Sequence, residues 1–278
     1  MLLHAPAKLN LCLYLGARRD DGLHELCSLF EPLELADLLA VVPAQQDEVI
    51  CPGVEGENLV SRALAGLRER GWERQPLRVE IEKRVPVAAG LGGGSGDAAA
   101  ILRLAAGEVA ELPQLAARLG ADVPSQLRPS LALVQGVGER VAPLPDPAEH
   151  AAVLLPGGGG LSTAAVFAEA DRLGLGREAA ELEDLAARLR EAAGAGASPL
   201  DYADLLVNDL EPAALSLRPD IGEALERLRA AGAPVAILSG SGPTAVGLFE
   251  DLDAAEAAAT ALRSEEAIVC AAGRARLT

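Results

Sequence analysis

Residues 86–100, PVAAGLGGGSGDAAA, decide how this chain reads. Ahead of them Leu77, Val79 and Ile81 alternate with Arg78, Glu80 and Glu82, the period of a strand; after them DAAAILRLAAGEVAEL (97–112) has helical spacing. The unit is strand, glycine loop, helix. Gly90, Gly92, Gly93, Gly94 and Gly96 leave a loop almost without Cβ atoms, so its backbone N–H groups can close on an anion. The helix that follows adds the partial positive charge of its N-terminus, which makes a nucleotide phosphate the natural guest. A turn that needed flexibility alone would have no use for the apolar Leu91 in its middle or for capping-type Ser95 and Asp97 at its end. The loop is not of the Walker type, because neither lysine follows a glycine, and not a dinucleotide fingerprint, because the position three after Gly92 is Ser95. The run GSGPTA (240–245) fits the loose G-x-G-x-x-A form, but Pro243 and the strand-like AVGLF follow where a dinucleotide fold needs a helix. There is no G-x-S-x-G elbow and no protein-kinase catalytic loop.

Outward from the loop, the opening of the chain reads as sheet. Leu9, Leu11, Leu13 and Leu15 alternate with Asn10, Cys12 and Tyr14, which predicts a half-buried strand rather than a signal peptide, since Arg18, Arg19, Asp20 and Asp21 follow instead of a small-residue cleavage site. HELCSLFEPLEL and DLLAVVPA predict two more strands, and NLVSRALAGLRER (58–70) a helix. A short helix over 113–119 stops at Gly120, and a new turn begins at Asp122 before Pro124, where Asp122 as a plain N-cap is the structural alternative to a chemical role. LALVQ and ERVAPL are short strands. PLPDPAEH (143–150), with three prolines, reads as a linker and divides the chain into domains of 1–148 and 149–278. Beyond it come the strand AAVLL, helices over 162–172 and 178–193, and a flexible connection at 194–198. Then follow two helices read as opened by the acidic pairs Asp220 with Glu223 and Asp253 with Glu256, and the strands VAIL, AVGLF and AIVCAA. That order is the pattern of a ferredoxin-like half, and the class is α+β.

The 278 residues carry 24 basic and 41 acidic side chains, a net charge of −17, with 50% hydrophobic and 2% aromatic residues. Such a chain buries roughly 70 to 75% of its unfolded surface and needs no metal or cross-link to hold a core of Leu, Val and Ala. The acidic balance, without clustered Lys and Arg, excludes nucleic acid held by its phosphates. The longest uncharged run, around 151–168, is broken by Pro156 and four glycines, so no membrane span is expected. Cys12, Cys27, Cys51 and Cys270 are scattered without a C-x-x-C pair and stand far from His4, His24 and His150, so reduced thiols and a cytoplasmic location are expected rather than a zinc site. Lys8 is one of two lysines in a chain that otherwise uses arginine, which marks a position where a compact point charge is wanted.

Three segments together resemble the superfamily of galactokinase, homoserine kinase, mevalonate kinase and phosphomevalonate kinase: APAKLNLCLYLGARRDDGLHELCSLF, PVAAGLGGGSGDAAA and LSGSGPTAVGLF. The forms A-P-A-K-x-N-L and D-G-x-H-E, then GADVP, QGVGERVAPL and NDLEP, in that order, are similar to the branch that acts on cytidylated methylerythritol in non-mevalonate isoprenoid synthesis. The resemblance implies a two-domain small-molecule kinase, with a mixed sheet and helices of the ribosomal S5 domain 2 type before a ferredoxin-like sandwich, and ATP-dependent phosphorylation of the substrate's 2-hydroxyl in the cleft.

By the same resemblance ATP lies along Pro86, Val87, Ala88, Ala89, Gly90, Leu91, Gly92, Gly93, Gly94, Ser95 and Gly96, with Asn58 near the adenine, and Ser95 and Asp97 are the candidates to hold Mg²⁺. Asp122 and Lys8 form the catalytic pair, Asp122 as base and Lys8 as the cation beside it, while Asn10, Gly240 and Ser241 hold substrate. His24 hydrogen-bonds the cytosine edge and Phe167 stacks on its face. The family has Tyr before that histidine and an apolar or aromatic pair after Asp-Val-Pro, where this chain has Leu23, Ser125 and Gln126, which leaves one aromatic wall around the cytosine. A monomer or weak homodimer is expected. The alternatives are a sister kinase, which His24 with Phe167 argues against, and a silent nucleotide sensor, which the intact Lys8 and Asp122 argue against.

Overall fold

In a computed structural model, which describes residues 1–54, 56, 58–264, 266–275 and 277, the first strand is buried on both faces rather than one. β1 (Leu2–Arg18) lies under β2 (His24–Pro43) on one edge and against α2 (Gly93–Leu104) and α6 (Ala179–Ala193), so Asn10, Cys12 and Tyr14 are as covered as the leucines between them. The two strands expected over 24–43 are one, long enough to pair with β1, with β4 (Leu77–Glu82), with β5 (Ala132–Gly136) and, through Leu33, with β10 (Ile268–Ala272). The short β3 (Glu48–Ile50) runs parallel to β4, which makes this half of the sheet mixed, and β6 (Arg140–Pro143) completes a hairpin with β5.

The second half is antiparallel. β7 (His150–Leu155), β8 (Val235–Leu238), β9 (Ala245–Phe249) and β10 lie side by side in the order β10-β7-β9-β8, the ferredoxin-like order that the sequence predicts. Because β10 pairs with both β7 and β2, the two halves share one continuous sheet and one apolar core that draws on Leu9, Leu11, Leu29, Leu154 and Val246. Residues 144–149 are irregular, within the segment expected as a linker.

The helices depart from expectation mostly at their ends. α1 (Leu59–Glu69) is capped by Asn58, whose side chain accepts from the Val60 N–H. α2 begins at Gly93, inside the glycine run, and stops at Leu104 instead of reaching 112. α3 (Leu112–Leu119) and α4 (Val123–Gln126) lie where expected, and α5 (Thr163–Leu173) precedes α6. A 3-10 turn at Pro199–Leu205 and α7 (Glu211–Leu217), opened by Pro212, were not legible from periodicity because both are too short to show one. α8 (Asp220–Ala230) begins after Pro219, and Asp220 spends its carboxylate on Arg218; α9 (Leu252–Leu262) is capped by Asp251, whose side chain takes the Ala254 N–H. Neither Asp220 nor Asp253 is the cap. No helix among the described residues is long and apolar enough to cross a membrane, and the four cysteines are free thiols.

Candidate active site

The register of β1 on β2 shifts between Pro6 and Lys8 and again between Asn10 and Cys12. Shifts of this kind turn a strand locally and re-aim its side chains, and here they bracket Lys8 and Asn10. Lys8 is 95% buried, its ammonium 2.6 Å from Asn10 Oδ1, 3.3 Å from the Gly90 carbonyl, 3.3 Å from Asp122 Oδ2 and 4.8 Å from the centre of the Phe30 ring. A point charge on a flexible stem suits this position, where three oxygens converge from three different elements. Asp122 stands at the N-cap position of α4, yet its side chain makes no capping bond and turns to Lys8 instead, so the plain cap reading does not hold.

The glycine loop lines a cavity of about 330 Å³ together with Asn58, Lys83 and Asp97. All of the residues expected along ATP, from Pro86 to Ser95, line it, while Gly96 is buried against β1. Two glycines are required by geometry. Gly90 has φ +77°, and a Cβ there would fall 2.7 Å from the Ser239 carbonyl and 2.8 Å from that of Gly242; Gly92 has φ +68°, and a Cβ there would meet the Lys8 stem at 2.8 Å. Gly93 and Gly94 are helical, so their N–H groups belong to the free first turn of α2 and point out of its end.

Lys83 escapes the sequence reading although it is the other lysine. It pairs with Asp37 and, at 2.9 Å, with Asp97 directly under the loop, while Asp37 also takes the backbone N–H groups of Arg84 (2.6 Å) and Val85 (2.8 Å). Two buried carboxylates share one ammonium. Asp97 is therefore pushed up to about 7, first by burial, against the pull of Lys83 and with the push of Asp37. Its Oδ1 is buried without a hydrogen-bond partner among the described residues.

The loop before β9 closes the site from the second half. Ser239 Oγ donates to the Gly90 carbonyl at 3.1 Å and accepts from the Asn10 N–H at 3.3 Å, and Thr244 Oγ1 donates to the Ala89 carbonyl at 2.6 Å. Asn208, the first residue of NDLEP, holds the carbonyls of Leu238 (2.8 Å) and Gly240 (2.7 Å) through its Nδ2. Ser241 bonds Thr163 at 2.9 Å. The conformations of the two glycine loops are thus fixed against each other, and the signal that could have found Asn208 was the NDLEP block itself.

A second cavity, of about 740 Å³, is lined by Leu23, His24, Ala121, which precedes Asp122, Val137, Phe167 and Asp171 among others. The rings of His24 and Phe167 are 5.2 Å apart and tilted by 44°, and His24 Nε2 is 2.7 Å from Asp171 Oδ1. Leu23 is 52% exposed at its mouth. Ser125 and Gln126 do not reach this cavity; both are buried, and they line a small gap beside Lys8 and Phe30. Their departure from the family pattern therefore leaves the second cavity's walls untouched.

The chain's similarities follow the same lines. The descriptions "GHMP kinases N terminal domain" and "GHMP kinases C terminal" match residues 58–128 and 178–268. The 4-diphosphocytidyl-2-C-methyl-D-erythritol kinase of Nocardia farcinica is 40% identical over 94% of this chain and 89% of its own length. That of Thermobifida fusca is 40% identical over 93% and 90%. This chain belongs to the 4-diphosphocytidyl-2-C-methyl-D-erythritol kinases. A crystal structure of a 4-(cytidine 5'-diphospho)-2C-methyl-D-erythritol kinase superposes with a TM-score of 0.81 at 38% identity, covering 99% of this chain and 100% of the other. A homoserine kinase from Cytophaga hutchinsonii superposes at 0.67 with 19% identity over 98% and 93%, which shows a shared fold. The family membership makes the chain a small-molecule kinase of two-domain α+β fold that uses ATP.

Proposed function

We propose that this kinase transfers the γ-phosphoryl group of ATP to the 2-hydroxyl of 4-(cytidine 5'-diphospho)-2-C-methyl-D-erythritol, in the methylerythritol phosphate route to isoprenoids. The observation that carries the reading is the Lys8–Asp122 pair, whose lysine bonds Gly90 of a cavity floored by a glycine loop and whose aspartate follows Ala121 of a second cavity walled by a histidine and a phenylalanine. ATP occupies the first, with its polyphosphate against the loop N–H groups and the α2 N-terminus and its adenine toward Asn58. The cytidine end of the acceptor occupies the second, its base against Phe167 and its edge toward His24. Asn10, Gly240 and Ser241 hold the substrate between them. The division into domains at 148/149 makes the cleft their common boundary.

Phosphoryl transfer asks the protein chiefly for position and charge. Asp122 accepts the proton of the 2-hydroxyl as that oxygen bonds to the γ-phosphorus and the bond to the β,γ-bridging oxygen breaks, leaving ADP. Lys8, beside both Asp122 and the Gly90 carbonyl, keeps the carboxylate in place and offsets charge that gathers on the transferring group. Asp97, with its unpartnered buried Oδ1, and Ser95 are among the residues that line the nucleotide cavity and fit Mg²⁺, which takes few protein oxygens and completes its shell with phosphate and water. Bound there, Mg²⁺ would neutralise polyphosphate charge. The free thiols and acidic surface fit a cytoplasmic enzyme, monomeric or weakly dimeric, without nucleic acid or membrane partners. Incubation with ATP and the cytidylated substrate, following ADP release, tests the reading: turnover supports it, and turnover only with homoserine or mevalonate overturns it.

A further inference from the structure

The face of α5 that looks into the larger cavity is a helical stripe: Thr163, Ala164, Phe167, Ala168 and Asp171. Small residues at 164 and 168 leave room, the ring at 167 offers a stacking surface, and Asp171 follows Phe167 by four, so its carboxylate projects from the same face one turn along. A carboxylate in the last turn of a helix opposes the macrodipole, so Asp171 is not there to stabilise α5. Its two oxygens have different surroundings. Oδ1 accepts from His24 Nε2 at 2.7 Å, whereas Oδ2 has only Arg18 Nη1 at 3.8 Å, beyond hydrogen-bond reach, and accepts no hydrogen bond among the described residues. An ionised carboxylate only accepts, so His24 Nε2 must be the donor, and the ring is locked in one orientation by a partner that itself faces the cavity.

We infer that Asp171 sets the choice of base: its second oxygen, which accepts no hydrogen bond, takes the 4-amino group of cytosine and repels the 4-oxo group of uracil. The inference rests on the proposed cytidine reading and adds the residue that makes the cavity selective. A carboxylate is a natural partner for the cytosine amino group, and a base-specific hydrogen bond of this kind is worth about 1 to 3 kcal/mol, or roughly 5- to 150-fold in affinity. Stacking on Phe167 cannot provide the discrimination, because every pyrimidine has a π-face.

Calorimetry with CDP, UDP and the ribonucleoside diphosphate of pyrimidin-2-one, which lacks the 4-amino group, tests this without relying on turnover. The unaltered protein should bind CDP roughly 5- to 150-fold more tightly than either of the others. Asp171→Asn, whose amide can donate to a 4-oxo group, should bring CDP and UDP within about threefold of each other while KM for ATP stays put. Equal weakening of both by Asp171→Asn would mean that the residue only steadies His24, and the inference would fail. It would also fail if the pyrimidin-2-one nucleotide bound the unaltered protein as tightly as CDP, a result that does not depend on any variant folding. Selective CDP binding without phosphorylation of the cytidylated substrate would instead sink the proposed reaction and leave the base choice standing. Turnover with no preference between CDP and UDP would do the reverse.

Discussion

Lys8 and Asp122 come from segments more than a hundred residues apart, and what unites them is that each gives up the ordinary occupation of its local structure. Lys8 is a buried cation in a strand, and Asp122 stands at a helix start without capping it. Because the Asp122 side chain makes no bond to α4, Asp122→Asn should leave the start of that helix intact, costing stability only through the lost counter-charge of buried Lys8, while turnover falls by about 10² to 10⁴, the usual weight of a general base, with KM for ATP as before. More than half the parent activity in that variant would remove Asp122 from the chemistry. At the other end of the cleft, Leu23 lines the cavity that holds His24 and Phe167 and has more than half its surface open. It offers the base an apolar contact but no ring. Leu23→Tyr should therefore lower KM for the cytidylated substrate, and Phe167→Ala should raise it by roughly 5- to 150-fold, since base–aromatic stacking is worth about 1 to 3 kcal/mol. Neither should move KM for ATP. If both variants stay within about twofold of the parent, the base is gripped elsewhere.

Elements with a full period were legible in the sequence and their ends were not. The alternation of β4 and the stripe of α1 survive intact, because a strand or helix of that length repeats its pattern several times. The start of α2 did not, because a glycine run carries no periodicity, and only backbone geometry tells that Gly90 and Gly92 turn the chain with positive φ while Gly93 is already helical. The acidic residues at the starts of α8 and α9 misled for a related reason: the cap is set by where the backbone enters the helix, which falls on Pro219 at α8, with no carboxylate cap, and on Asp251 rather than Asp253 at α9. The same geometry makes Gly90 the most informative position in the loop to substitute. Gly90→Val would put a branched side chain into a left-handed conformation and within 2.7 Å of the Ser239 carbonyl, so the loop must leave its place against the second half. ATP affinity measured by calorimetry should drop at least tenfold. An unchanged affinity in a folded variant would mean that the loop's approach to Ser239 and Gly242 has nothing to do with the nucleotide.

Across the whole molecule, the order of elements was readable and their union was not. The ferredoxin-like order of the second half follows from its run of strands and helices, but nothing in the sequence announces that β10 also joins β2, or that Lys83 and Asp171 would be drawn to the site, since each depends on a partner far away in the chain. The same junction holds a titratable pair that the sequence left unassigned. Ala272 of β10 lies opposite Leu33 on one side and His150 on the other, and across it the His150 ring reaches Glu31 Oε2 at 3.1 Å with both side chains fully buried. His150 Nδ1 meets the Ala148 carbonyl at 2.9 Å, so both ring nitrogens face acceptors, the arrangement that suits an imidazolium. Burial alone would depress His150, but the bond and charge of Glu31 outweigh it and raise the group above its ordinary 6.5. A histidine raised on folding stabilises the native state fully below its unfolded value, and that contribution is lost as pH climbs through the folded one. His150→Gln keeps an amide donor but cannot take the charge. The melting temperature of the parent should therefore exceed that of the variant by the widest margin near about pH 6, and the margin should narrow steadily toward about pH 9. A gap that stays constant or widens over that range would mean that the pair is joined by a neutral hydrogen bond, and that the two halves are held together without a buried charge between them.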